Sequence, residues 1–395
     1  MQKNLFKAAP LGGERFHNLV SSGVLTPMEW FDDLGERRCV YELGDNKTAV
    51  AYLWVLRNAV KRVAESDRAL WKEVTVGKRT QYELSKEARS LWHALRGIDQ
   101  APKAWGREAE MNPYLGVGVR LARKWEPRLR FFTNQDSELL MDEEYPRRAM
   151  AHIVSVLRRV CTTAKFLSRI KRLERQQSDN RVECCKYFLS ILRAHARPHV
   201  IRGDMFIAGE AKQAAMEGKI EQAVEKFIRN LREGRIIENI LGYIIKRENA
   251  YDRGIHLHVM AILDGDMHYQ SYNLTEKLKM YWIHECVGSP SLASGFNCYL
   301  RKDEYRYNGL GHVHYSDERK LMGVREAIIY LTKTDGHFLV PKAFGKNMRK
   351  GQHPKRSKSG KRAGPPRRSD LSLAKRILLG VQDMGVSPSV GIRSE

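Results

Sequence analysis

The chain has 395 residues, 42% of them hydrophobic, and 69 Lys and Arg against 46 Asp and Glu, a net charge of +23 with a pI near 9.8. That hydrophobic share excludes a disordered chain and suffices for two or three domains with real cores. No apolar run is long enough to span a bilayer, and the opening stretch MQKNLFKAAPLGGERF has no uninterrupted apolar core of the signal-peptide type, so a soluble, intracellular protein is expected.

The excess of positive charge points to a polyanionic partner, nucleic acid first and an anionic membrane surface second. Six cysteines (Cys39, Cys161, Cys184, Cys185, Cys286 and Cys298) show neither CxxC spacing nor the density of a secreted disulfide scaffold. Reduced, mostly buried thiols are expected, with redox chemistry at adjacent Cys184 and Cys185 as the alternative.

Residues 1–190 read as mainly helical. The stretches 49–66 and 147–176 carry apolar residues at helical spacing with Arg and Lys between them. Such basic amphipathic helices either lie along DNA or present a solvated face, and the region holds no catalytic motif. From residue 191 strands and helices alternate. ARPHVIRGDMFI (196–207) predicts a strand and 213–234 a helix ending at Gly234. RIIENILGYIIKRE (235–248) and GIHLHVMAILDG (254–265) predict strands joined by a short loop, hence an antiparallel hairpin.

Next come a helix over 275–288 with Thr275 as N-cap and Gly288 as its stop, short strands at FNCYL and GHVHYS, and a helix over 317–333 opening at Asp317. The order β-α-β-β-α-β, followed by a further strand and helix, predicts an α+β protein. Its domain over 191–345 would be ferredoxin-like (RRM-like), one antiparallel sheet with helices on one face. Residues 341–369 are rich in Lys and Arg and contain no acid, so 346–395 is expected to be a largely flexible basic tail. Its candidate DNA contacts are Lys346, Arg349, Lys350, Lys355, Arg356, Lys358, Lys361, Arg362, Arg367 and Arg368, cations suited to phosphates and not to reading sequence.

Within the hairpin, His256 and His258 fall on one face of their strand, opposite to Ile255, Leu257 and Val259. Glu248 shares their parity, so a register that sets it opposite His256 or His258 brings all three together, and a slip of one residue destroys the site. The mixed nitrogen and oxygen set suits a divalent ion, Mg²⁺ or Mn²⁺, that keeps positions open for a phosphate oxygen. A second His-x-His, His312 and His314, is either a further ligand or phosphate contact or the exposed end of a strand. On the helix over 317–333, Leu321, Val324, Ile328 and Leu331 form the apolar stripe, while Glu326, Tyr330 and Lys333 lie off it. A metal-polarised phosphate and a nearby ammonium would both favour a Tyr330 phenolate as nucleophile.

HLH at 256–258 with YLTK at 330–333 resembles the histidine-hydrophobe-histidine and Tyr-x-x-Lys motifs of the HUH endonucleases. VIRGD (200–204), GYIIKRE (242–248), the Trp282 helix and GLGHVHYSD leading into AIIYLTKTD resemble, in order, the inovirus-type replication initiation proteins of filamentous phages, a family that includes the YagK/YfjJ C-terminal domain of cryptic prophages. The likeness covers roughly 190–350.

It implies a rolling-circle initiator in the bacterial host cytoplasm that nicks one DNA strand at a single-stranded or supercoiled origin, stays joined to the 5′ end and later rejoins the ends. Host helicase and polymerase would be its partners. The implied roles are metal ligation by His256, His258 and Glu248, nucleophilic attack by Tyr330, and assistance by Lys333. Glu326 stands where some initiators carry a second tyrosine, which speaks against a two-tyrosine mechanism. The alternatives are a non-catalytic prophage-derived DNA-binding regulator, a metal-dependent hydrolase, and a related HUH transposase or relaxase.

Overall fold

Two hairpins interrupt the helical amino-terminal region in the computed structural model, which describes residues 25–31, 37–43, 47–76, 79–96, 111–129, 144–207, 218–250, 254–333, 339–340, 346–354 and 371–380. Strands β1 (Leu25–Phe31) and β2 (Arg37–Leu43) pair antiparallel, as do β3 (Trp71–Val76) and β4 (Arg79–Leu84), so the region is not purely helical. Helices α1 (Lys47–Glu65), α2 (Lys86–Arg96), α3 (Pro113–Leu129) and α4 (Glu144–Cys161) enclose a core that includes Leu56, Trp92, Leu115 and Ile153. Among the described residues no helix is long and apolar enough to cross a membrane.

The helix expected over 147–176 is two helices. Thr162 Oγ1 donates to Arg158 O at 2.9 Å and Thr163 Oγ1 to Val160 O at 2.8 Å, so side chains satisfy the last carbonyls of α4. Thr163, extended at ψ 143°, then caps α5 (Ala164–Ala194) by accepting from Phe166 N at 3.3 Å. This helix runs past residue 190. Near its start Phe166 and Ile170 pack on the first core, and its last turns bury Cys184, Cys185, Tyr187, Phe188 and Ile191 in the second. Burial pushes the Cys184 thiol up to about 12, which keeps it protonated near neutral pH and disfavours the redox alternative.

The second core lies on one face of a sheet whose other face carries a third. The elements of the sheet and its helices in chain order are β5 (Pro198–Ile207), α6 (Lys219–Arg232), β6 (Ile240–Ala250), β7 (Gly254–Asp264), α7 (Ser271–Tyr281), β8 (Ala293–Asn297), β9 (Gly311–His312), α8 (Glu318–Thr332), β10 (Met348–Lys350) and α9 (Ser372–Leu379). The strands lie in the order β10-β6-β7-β5-β8, with β9 also on β5, and every pairing is antiparallel. The protein is therefore α+β. Helices cover both faces of the sheet, which corrects the one-face expectation. Ile201, Met205, Ile245, Leu257 and Val259 lie in one core with α6, α7 and Trp282, while Val200, Ile244, Met260 and Ile262 lie in another with α5, α8 and α9. The reason lies in β7, where Leu257, Val259 and Ala261 are buried on one parity and Met260 and Ile262 on the other, so each face needs a cover.

Several limits shift for local reasons. Thr275 is no cap: its hydroxyl donates to Ser271 O at 2.8 Å inside α7, which starts a turn earlier. β6 starts at Ile240 and not at residue 235, because Asn239 takes a left-handed φ of 53° and the backbone turns there. FNCYL ends β8 at Asn297, whose side chain accepts from Tyr299 N at 3.0 Å and starts a 3₁₀ turn. Asp317 does cap α8, accepting from Lys320 N at 3.0 Å.

The basic tail is partly folded. Residues 348–350 form the edge strand on β6, and α9 packs Ala374 and Leu378 into the second core, so 346–395 is not wholly a free arm.

Candidate metal and nucleophile site

Register decides the site. In the β6–β7 hairpin Glu248 stands opposite His256 and Lys246 opposite His258, while on the other flank of β7, Asp204 of β5 faces His258. Glu248, His256 and His258 thus share one face, and one ligand atom from each lies within 4.8 Å of the others. All three are buried. The imidazole rings meet edge to face at 4.8 Å.

Each side chain is held by its neighbours. His258 Nδ1 lies 2.7 Å from Asp204 Oδ1 and its Nε2 2.8 Å from Glu248 Oε2, and His256 Nε2 is 3.9 Å from the same Glu248 oxygen. Burial alone would lower the His258 pKa, but Asp204 and Glu248 outweigh it and raise it. Burial likewise works to raise Asp204 and Glu248. His258 and Arg202 hold Asp204 below the carboxylate range, and Lys333, His258 and Lys246 hold Glu248 there.

The donor set fits a cation. A proton on Nδ1 facing Asp204 leaves the Nε2 lone pair aimed at a carboxylate oxygen, and two acceptors at 2.8 Å need a positive species between them, either a proton or a metal ion. The group can therefore hold a divalent ion, through the mixed imidazole and carboxylate ligands such ions accept.

Tyr330 of α8 reaches this cluster, its ring lying edge to face with His258 at 5.2 Å. Lys333, the residue after α8, sets its Nζ 4.2 Å from the centre of the Tyr330 ring, and its backbone oxygen accepts from Lys246 Nζ at 2.7 Å. Glu326 is exposed.

The other His-x-His is elsewhere. His312 pairs with His199 on β5, five residues from Asp204 and so roughly 16 Å along the strand. His314 is exposed, with Nδ1 2.6 Å from Ser316 Oγ. Neither joins the metal group.

Of the candidate DNA contacts, Lys346 is exposed, whereas Arg349 pairs with Glu225 and Glu221, and Lys350 with Glu183 at 3.1 Å. Those two cations are already matched by acids. Lys355, Arg356, Lys358, Lys361, Arg362, Arg367 and Arg368 lie outside the described residues.

Asp204, Lys246 and Arg202 were not singled out from sequence, although the alternation of VIRGD puts Arg202 and Asp204 on one face, which was the available signal. No family model, no curated protein and no solved structure matches the chain.

Proposed function

We propose that the protein is a rolling-circle replication initiator of the HUH type, a DNA nickase and strand transferase with one catalytic tyrosine. The observation that carries this is the packing of the Tyr330 ring on His258, a member of the one group among the described residues that can hold a metal. The β-α-β-β-α-β succession of β5 to β8, with spatial order β6-β7-β5-β8, supports a ferredoxin-like palm beneath that group. The charge of +23 supports DNA as the substrate, and the setting proposed is the bacterial host cytoplasm with host helicase and polymerase acting downstream.

Glu248, His256 and His258 would hold Mg²⁺ or Mn²⁺, which when bound supplies a Lewis acid for the phosphoryl oxygen. The ammonium of Lys333 beside the ring favours the Tyr330 phenolate. Tyr330 Oη then bonds to the scissile phosphorus, the bond from phosphorus to the 3′ oxygen breaks, and the tyrosine's proton ends on that 3′ oxygen. The 5′-phosphotyrosine ester keeps the energy of the broken link, so joining, the reverse attack by a 3′ hydroxyl, needs no nucleotide. The sequence accordingly has no GxxxxGK[ST] loop.

The test is a labelled single-stranded origin fragment incubated with Mn²⁺ and run on a denaturing gel. Wild type should give a covalent protein–DNA band and Tyr330→Phe none. Cleavage without a band would make water the nucleophile and the protein a hydrolase, and binding without cleavage would make it a regulator. A band surviving in the variant would move the nucleophile to another tyrosine. Tyr305 is the poorest of these, since burial raises its hydroxyl pKa and it donates to Cys298 O at 3.3 Å.

A further inference from the structure

Lys333 accounts for one cation beside Tyr330, but there is a second. Arg202 of β5 lies on the face that carries Asp204 and His258, with its Cζ 5.0 Å from the centre of the Tyr330 ring. The side chain is only 5% exposed. Its Nε is buried with no hydrogen-bond partner, and among the described residues no ion pair engages the guanidinium. The acid two residues along, Asp204, gives its Oδ1 to His258 at 2.7 Å. Cys298 and Tyr305 also border the guanidinium, but burial pushes the Cys298 thiol up to about 12 and raises the Tyr305 hydroxyl, so neither supplies an anion near neutral pH.

Asp204 and the Tyr330 ring favour the charge of this guanidinium from a distance, but neither takes up its N–H donors, and buried donors without an acceptor are costly. The proposed attack by Tyr330 does not itself require this residue. Its planar fork of N–H donors matches two oxygens on one phosphorus, a geometry that an ammonium lacks. The position beside the tyrosine and the metal group is where a phosphodiester under attack would present them.

We propose that Arg202 is a phosphodiester-binding residue whose guanidinium donates to the non-bridging oxygens of the phosphate that Tyr330 attacks. As the bond from Tyr330 Oη to phosphorus forms and the bond to the 3′ oxygen breaks, these two oxygens carry the added negative charge, and a fixed cation there stabilises that state more than the ground state. The role in cleavage rests on the nicking reading. The anion site itself rests only on the buried guanidinium whose donors meet no acceptor.

Two measurements separate them. In the first, the full chain in EDTA is melted with inorganic phosphate and with chloride at matched ionic strength. Phosphate should raise the wild-type midpoint, and Arg202→Gln should abolish that rise, each protein being compared with its own midpoint in chloride because the guanidinium also favours the Asp204 carboxylate. Arg202→Lys, which keeps the charge without the fork, should retain part of the rise. In the second, adduct formation is timed on a normal origin fragment and on one whose scissile link is a neutral methylphosphonate. Arg202→Gln should be slower than wild type by about 10²–10³ on the phosphodiester and within tenfold of it on the methylphosphonate, where no charge remains for the guanidinium to meet.

An equal phosphate shift in both proteins, no shift in either, or the same rate gap on both substrates overturns the proposal. If wild type forms no adduct but loses its phosphate shift with Arg202, the anion site stands and the nicking reading falls.

Discussion

His258 commits both ring nitrogens to carboxylates, and which nitrogen keeps the proton decides whether the ring can ligate. Asp204, 2.7 Å from Nδ1, draws the proton to that side and frees Nε2 toward Glu248. Asp204→Asn keeps the shape and loses the charge. It should weaken Mn²⁺ binding about 10–100-fold by calorimetry, with little change in the circular dichroism spectrum, and undiminished affinity would remove Asp204 from the site's support. His256→Ala or His258→Ala should abolish nicking and leave duplex binding nearly intact.

A different histidine sets acid stability. His199, 1% exposed, lies 2.9 Å from Ser271 Oγ and edge-on to His312 at 4.7 Å. Burial first, then the charges of His312, His268 and Lys320, lower its pKa from 6.5 to about 4. Above pH 6.5 neither the folded nor the unfolded state binds this proton. Between 6.5 and 4 the unfolded chain takes it up while the folded one does not, so stability falls as pH falls through that window. From pH 7 to 5 wild type should lose about 2 kcal/mol more than His199→Gln, read from urea midpoints. Equal losses would refute it.

At this scale Glu248, His256 and His258 were legible because strand parity is local. Lys246 shares the parity of Glu248 in the same hairpin and was as legible, whereas bringing Asp204 and Arg202 to His258 required knowing that β5 lies beside β7, which no short pattern reveals.

Helix α8 carries Tyr330, and its seat is a contact of bare backbone. A Cβ built on Gly323 would meet the Gly309 nitrogen, with Asn308 C at 2.6 Å and Gly309 Cα at 2.7 Å, and one on Gly309 would meet Gly323 C at 2.5 Å. Nothing there is a flexible side chain that could move aside. Gly323→Ala should therefore destabilise by about 1–3 kcal/mol through overpacking, despite alanine's better helix propensity. It should also slow adduct formation by up to about 10², since a shift near 1 Å misaligns the nucleophile. Arg319→Ala, exposed one turn earlier, should change stability by less than about 0.5 kcal/mol. Equal behaviour of the two would show that α8 is positioned by its apolar stripe alone.

Elements with their own start signals, such as α8 behind Asp317, were legible in the sequence. The break at Thr162 and Thr163 and the end of β8 at Asn297 were not, because each depends on a side chain competing with the backbone for its partners. The amino-terminal hairpins escaped because LTPMEWF, RRCVYEL, WKEVTV and RTQYEL lack the clean alternation that marks a half-buried strand, and Pro27 interrupts the first.

Across the whole molecule the charge of +23 is spread unevenly, and folding has already matched part of it. Arg349 and Lys350 are matched by Glu225, Glu221 and Glu183 at the edge of the sheet, so deletion from residue 346 would remove β10 as well as cations. The stretch 355–369 carries seven cations, Lys355, Arg356, Lys358, Lys361, Arg362, Arg367 and Arg368, and no acid. It also leads to α9, whose Ala374 and Leu378 are buried, so substitution tests it more cleanly than excision.

Changing all seven to Gln should leave the thermal midpoint unchanged and weaken binding to every sequence alike, because contacts to phosphate carry no base information. Each phosphate contact on a single strand contributes a slope of about 0.7 in log K against log salt, so the slope should fall by up to about 5 if all seven engage. Origin preference should survive, since it would be read elsewhere. A slope that does not move between 50 and about 200 mM salt would assign the phosphate contacts to other cations. The exposed Lys165, Lys171, Arg172 and Arg175 of α5, between the first and second cores, would be the next to neutralise.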